Sequence, residues 1–276
     1  MSYVSREEVA IDSCQFASMS FVAAVLIVLL HLGSHDIDKI VAIALQWFFL
    51  ASGFFLAKHI GEANWYKIAI IKRSRSLVVP FYIWMLIYKA LYIMMHYMSG
   101  SIDQHPFDLD LCLYFTGFHP FIPVQIVWYL RTLFLLVLIS PLFVMCGNVS
   151  LVAWSVLLYA VDLIYSRCEI ANRDISIFFY YFINIRGVLY FISGILLRRL
   201  NLFGRIPWPL DCLLIVIGGI CVCLDVTSVY SIPPIMYLVW RICKHIRIPT
   251  LLAKQSLCIY LMHMPVLIIT GVVAKW

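Results

Sequence analysis

Apolar runs follow one another along almost the whole chain, at roughly 15–33, 37–57, 77–98, 125–146, 150–165, 176–197, 209–226, 232–243 and 256–274. Most are about 18 to 22 residues long, enough for a helix to cross a hydrocarbon core of about 30 Å. A membrane barrel would need alternating segments of about ten residues, and these runs are continuously apolar. The expected fold is therefore all-α, a polytopic transmembrane helical bundle with about nine or ten spans. Of the 276 residues 64% are hydrophobic and 12% charged, well outside the range of a soluble domain. A single integral-membrane domain, 1–276, accounts for that length, with no soluble domain, linker or strong internal repeat. The 232–243 run is too short to cross alone and begins with Pro233 and Pro234, so a broken, re-entrant or extended segment is open there.

Lys and Arg alternate between loops in a way that sets orientation. With the N-terminus inside, Arg6, Lys58, Lys67, Lys72, Arg73, Arg75, Arg198, Arg199, Arg205, Arg241, Lys244, Arg247 and Lys254 lie on the cytoplasmic side. Only Lys39, Arg167, Arg173 and Lys275 fall outside. The net charge of +6 reads as topogenic, and no nucleic-acid partner is needed to explain it. The first run lacks the features of a cleaved signal, since Glu7, Glu8 and Asp12 accompany Arg6, and it is expected to be retained. Outer loop 99–124 carries Asp103, Asp108 and Asp110 and forms a natural rim for a substrate. Of the nine cysteines, Cys146, Cys212, Cys221, Cys223, Cys243 and Cys258 sit in apolar runs without metal-ligand spacing, as small packing residues. Cys112 and Cys168 fall in two outer loops, which leaves a bridge between them open.

Ionisable side chains within such runs are costly and concentrate where function sits. They are His31, Lys89, His96, Arg131, Asp162, Arg186 and His263. His31 closes the first run in "LIVLLHLGSHD", either as an interfacial cap or as a general base titrating near neutral pH. Arginine keeps its charge, so Arg131 and Arg186 each need an anion or a set of carbonyls. An internal pair such as Arg131 with Asp162 is one answer, and a buried anionic ligand is the other. The inner loop "KHIGEANWYKIAIIKRSRSLVVPFYIW" mixes Trp65, Tyr66 and isoleucines with Lys67, Lys72, Arg73 and Arg75. That mixture fits an amphipathic, lipid-following helix, and it also fits a site for a phosphorylated cofactor held by guanidinium contacts.

Taken in order, "FVAAVLIVLLH", "FFLASGFFLA", "KRSRSLVVPFYIW", "VWYLRTLFLLVLISPL", "RGVLYFISGILL" and "LLAKQSLCIYLMHMPVL" resemble the motifs of the acyltransferase 3 family of integral-membrane acyltransferases. The resemblance covers most of residues 15–270. It implies transfer of an acyl group, usually acetyl, from cytoplasmic acyl-CoA to sugar or glycan hydroxyls across a bacterial inner membrane. It places the essential histidine at His31, as base or acyl relay, and the basic loop motif at Lys72 and Arg75 with Arg73 between, as contacts to the CoA phosphates. Arg131 then falls near the buried end of the donor or a developing oxyanion, while Arg186, Ser52 and His263 shape the substrate site; no metal is implied. The chain departs from the family twice. Ser20 stands where many members have Arg or Lys eleven residues before the histidine, and Lys72 replaces the motif's first arginine. It is also shorter than most members and has no appended hydrolase-like domain, so it is expected to act alone or to hand its product to a polysaccharide-assembly protein.

The leading expectation is an O-acyltransferase acting on a surface glycan, exported polysaccharide or lipid-linked sugar in contact with membrane lipid. A thioester is already reactive, so the protein's work is positioning and oxyanion stabilisation. Two alternatives stand beside it: a flippase for an anionic sugar intermediate using Arg131 and Arg186, and a degenerate, non-catalytic family member, which Ser20 keeps open. Against a transporter built from inverted repeats, only one Pro-interrupted run is present, without a counterpart.

Overall fold

Each apolar run holds a helix among its described residues. A computed structural model of the chain describes residues 6–31, 38–60, 64–98, 122–168, 184–202, 206–224, 232–245, 248–249 and 255–269. Among them are α1 (Arg6–His31), α2 (Asp38–Ala57), α3 (Trp65–Arg73), a π-helical turn (Ser74–Val78), α4 (Val79–Met98), α5 (Ile122–Met145), α6 (Asn148–Cys168), α7 (Ile185–Arg199), α8 (Trp208–Cys223), α9 (Ile232–His245) and α10 (Ser256–Ile269). Nine of these fall on the nine apolar runs, and α3 falls on the basic loop expected to lie inside. No strand occurs among the described residues. Pro233 and Pro234 sit in the first turn of α9, where a missing N–H is tolerated, so the short run is one unbroken helix.

The membrane-crossing half of the expectation is not matched in the same way. Among the described residues, no helix is long and apolar enough to cross a membrane. Helices α7 and α8 have 15 and 16 residues, or about 23–24 Å of rise against a hydrocarbon core of about 30 Å. The acidic loop with Asp103, Asp108 and Asp110, and Cys112 and His35, lie outside the described residues. Cys146, Cys212, Cys221, Cys223, Cys243 and Cys258 are free thiols.

The helices group into two units: Met1–Ala51 with Leu200–Trp276, and Ser52–Arg199. In the first, α1 buries Phe16, Met19, Ala23, Ala24 and Ile27, a stripe at helical spacing, and packs on α9 and α10. Trp47 of α2 lies against Phe16 with ring centroids 4.9 Å apart. Helices α8 and α9 approach closely because Gly218 has no side chain: a Cβ there would sit 2.6 Å from the Pro234 carbonyl oxygen. At their ends Asp211 accepts hydrogen bonds from the Tyr237 hydroxyl, at 2.6 Å, and from Arg241. Arg241, read from sequence as topogenic, is thus an ion-pair partner as well.

In the second unit α5 runs along α3, the π turn and α4, and α7 packs on α5 and α6. Pro141 lies inside α5 and cannot donate to the Val137 carbonyl. The Ser140 hydroxyl donates to that oxygen instead, at 2.7 Å. One residue on, the Leu138 carbonyl accepts from the Tyr66 hydroxyl at 2.7 Å, which ties α3 to the kinked part of α5. The last carbonyls of α5 are capped by Arg199, whose guanidinium donates to Val144 O and Cys146 O at 2.6 and 2.8 Å. Arg198 stacks over the Phe54 ring, 5.1 Å from its centroid. Asn184, at φ 39°, caps α7 by accepting from the Gly187 N–H through its side-chain oxygen.

Candidate functional site

The basic loop becomes a site because α3 has two unlike faces. Residues 68, 71, 72, 75 and 76 recur at the spacing that stacks side chains on one side of a helix. Ile68, Ile71, Lys72, Arg75 and Ser76 line an open cleft of about 450 Å³. Its apolar wall is well exposed, Ile68 by 53% and Ile71 by 46%. Residues 66 and 73 belong to the other face. Tyr66 is bound to α5, and Arg73 lies within electrostatic reach of Tyr129 of the same helix.

The turn that follows α3 explains why a proline sits beside the cations. Pro80 supplies no N–H to the Ser76 carbonyl and its ring crowds that oxygen. The wider π turn over Ser74–Val78 takes up the mismatch and carries the helix on into α4 without a break. In doing so it holds Arg75 and Ser76 in line with Lys72 on the cleft face.

Behind α3 is a buried polar group. Tyr129, 4% exposed, shares a hydrogen bond with the side chain of Ser52, itself buried, and feels the charge of Arg73. Burial holds the Arg73 guanidinium below its usual pKa, an effect that Tyr129 opposes. Ser52 is brought there by its neighbour: a Cβ on Gly53 would lie 2.0 Å from the Phe191 carbonyl oxygen, so only glycine lets α2 meet α7 this closely. Of the residues expected at the site, Ser52 and Arg73 are therefore brought together around Tyr129, while Lys72 and Arg75 share the open cleft. Arg131 is half-buried two residues beyond Tyr129, about 200° around α5 from it.

Arg186 belongs to a third group in this unit. Its Nε donates to both oxygens of Asp162, at 2.9 and 3.0 Å. An internal pair involving Asp162 is thus present, with Arg186 as a cation that holds it. Tyr190 and Tyr159 lie within electrostatic reach of this pair.

In the first unit, His263 of α10 is buried, with Nδ1 against the Tyr260 carbonyl. A carbonyl only accepts, so Nδ1 carries the proton and Nε2 is the basic nitrogen. His31 is the last residue of α1, at the end of that helix, and its side chain is outside the described atoms. Ser20 donates to the Phe16 carbonyl at 2.7 Å and accepts from Trp47 Nε1 at 3.2 Å. The place of the family's frequent cation is therefore occupied by a serine–tryptophan contact. Among the described residues no group of His, Cys, Asp and Glu is arranged to hold a metal ion.

Sequence reasoning passed over Tyr129 and Asp211, and it placed Arg73 between Lys72 and Arg75 as a further contact to the same phosphates. The signal for Arg73 was present: Tyr66 and Arg73 are seven apart, two turns on one face, whereas Lys72 and Arg75 continue the other.

Residues 19–275 match the family model of the acyltransferase domain, Acyl_transf_3. The match takes in nearly the whole chain, and the protein belongs to this acyltransferase family. No curated protein and no solved structure shows significant similarity to it.

Proposed function

We propose that the protein is a membrane O-acyltransferase that moves an acyl group, acetyl in the first instance, from cytoplasmic acyl-CoA to a hydroxyl of a surface glycan, exported polysaccharide or lipid-linked sugar. The observation that carries this reading is the cleft of α3, where two cations and a hydroxyl stand beside exposed isoleucines. An acyl-CoA donor is both multiply anionic and partly apolar, and this lining meets both demands. In this reading His31, at the end of α1, takes the proton of the acceptor hydroxyl or relays the acyl group. Attack on the thioester forms the new ester and releases the CoA thiolate, which takes up the proton.

Bacterial inner-membrane residence with the N-terminus inside belongs to the same proposal. It is supported by the alternation of Lys and Arg between loops and by the large apolar side chains that α6 and α8 leave uncovered. Val149, Val156 and Ile164 on α6, and Trp208, Leu213 and Val216 on α8, are all more than half exposed. Scattered exposed apolar residues are normal, but whole helix sides of them suit a lipid partner. The flippase alternative needed Arg131 and Arg186 as a joint anion site, and the Asp162 carboxylate already answers the charge of Arg186. The test is glycan mass spectrometry on cells carrying wild-type or His31→Ala protein at equal expression. Acetylation should disappear in the variant; unchanged acetylation would remove His31 from the chemistry.

A further inference from the structure

The cleft of α3 opens onto an apolar strip. The helix runs on through the π turn into α4, and Val79, Ile83 and Leu86 follow Arg75 at steps of four, four and three residues. That spacing keeps side chains on one face, and each of the three is at least half exposed. From Arg75 to Leu86 the helix rises about 16 Å, close to one leaflet of a hydrocarbon core of about 30 Å. The cleft itself is lined by two cations, Lys72 and Arg75, and by no acid among the described residues. Neither cation has an ion pair or hydrogen bond among those residues, and from Trp65 to Met98 the chain carries no Asp or Glu. Trp65 and Tyr66 open the same helix with ring centroids 5.6 Å apart, and such aromatics favour the level of lipid headgroups.

We infer that the cleft and this strip form one groove for an anionic phospholipid of the inner leaflet. Its phosphate lies at Lys72 and Arg75, and an acyl chain lies along Val79, Ile83 and Leu86. The choice of occupant follows from the charges and the length. A zwitterionic headgroup brings a cation of its own toward two cations, whereas a phosphatidylglycerol headgroup brings only negative charge. A water-soluble phosphate gains nothing from the apolar strip. The acyl-CoA proposed above would use the same two cations, so lipid and donor exclude one another, and the anionic lipid content of the leaflet sets how much donor is needed to fill the cleft. This regulatory half rests on the acyl-CoA reading; the lipid site rests only on membrane residence.

The full-length chain, purified in a nonionic detergent, is titrated with dioctanoyl phosphatidylglycerol, dioctanoyl phosphatidylcholine and glycerol 3-phosphate, with native mass spectrometry counting the molecules bound. One phosphatidylglycerol per chain should bind about tenfold or more tighter than either of the others. Lys72→Gln/Arg75→Gln should bring phosphatidylglycerol down to the phosphatidylcholine level. Ile83→Ala/Leu86→Ala should weaken both lipids by about threefold or more and leave glycerol 3-phosphate unchanged. Equal affinity for the two lipids overturns the site, as does a preference that survives loss of the cations. Glycerol 3-phosphate binding as tightly as phosphatidylglycerol overturns the role of the strip. If a variant does not fold, the wild-type comparisons decide. Titrating CoA at saturating phosphatidylglycerol then separates the two readings. A raised apparent Kd for CoA, absent with phosphatidylcholine, supports the shared cleft, and an unchanged one overturns the competition. If CoA does not bind while the phosphatidylglycerol preference persists, the donor reading falls and the lipid site stands.

Discussion

The two units treat polar groups differently. In Ser52–Arg199 charges are drawn inward: Arg73 lies behind α3, Asp162 and Arg186 are paired between α6 and α7, and Arg198 and Arg199 are stacked or capped. In the unit made of the chain's two ends, the pair Asp211 and Arg241 is more open to solvent, and neutral contacts such as Ser20 with Trp47 and His263 with Tyr260 fill the interior. The difference teaches where each kind of chemistry can be placed. Cations proposed to hold an anionic donor gather in one unit, while His31, proposed for proton transfer, belongs to the other. Buried charge demands partners built from several helices, whereas a histidine or serine can be satisfied by the turn of helix beneath it.

The sharpest break in this comparison would come at α1. His31→Ala should lower glycan acetylation by about 10²–10⁴-fold, the usual contribution of a general base, as read by mass spectrometry of the isolated glycan. Loss of the cleft cations should behave differently. Lys72→Gln/Arg75→Gln is expected to raise KM for the acyl donor by about tenfold or more with kcat little changed, because those groups hold the donor equally in ground and transition states. Initial-rate kinetics with labelled donor would separate the two, and a fall in kcat alone would count against a binding role.

Stability should follow the contrast in burial. Asp162→Ala leaves Arg186 without its carboxylate and should cost about 3–5 kcal/mol. Asp211→Ala removes a more exposed pair and should cost about 1 kcal/mol. Thermal denaturation of the two variants in one detergent compares them directly, and equal losses would erase the distinction between the units. The smallest effect is expected at Ser20: Ser20→Ala loses a part-buried hydrogen bond from Trp47, about 1 kcal/mol. Ser20→Arg should give no gain in acetylation, because the longer side chain must first displace Trp47 from its contact with Phe16.

Much of the helix order was legible in advance because each apolar run carries its own signal. The proline pair at the start of α9 and the basic helix α3 were also within reach of local rules. The identity of Asp162's partner was not. Arg131 and Arg186 are both arginines inside apolar runs, and sequence offers no measure of what another helix presents to either of them. Ser52–Gly53 could be read as packing and site shaping, but its reason, the Phe191 carbonyl pressed against Gly53, comes from a helix far along the chain.

By itself the sequence determined that the described residues are helical, the place of each helix, the family to which the chain belongs, and the concentration of cations between residues 58 and 75. Those are consequences of composition and of short-range periodicity, which the chain carries wherever it folds. Tertiary structure alone decided that Arg73 turns away from Lys72 and Arg75 toward Tyr129, that Arg186 holds Asp162, and that Trp47 occupies the place of the absent cation at Ser20. The physical reason is that a buried polar group is satisfied by whatever another helix presents to it, and that partner is chosen by packing rather than by neighbours in sequence.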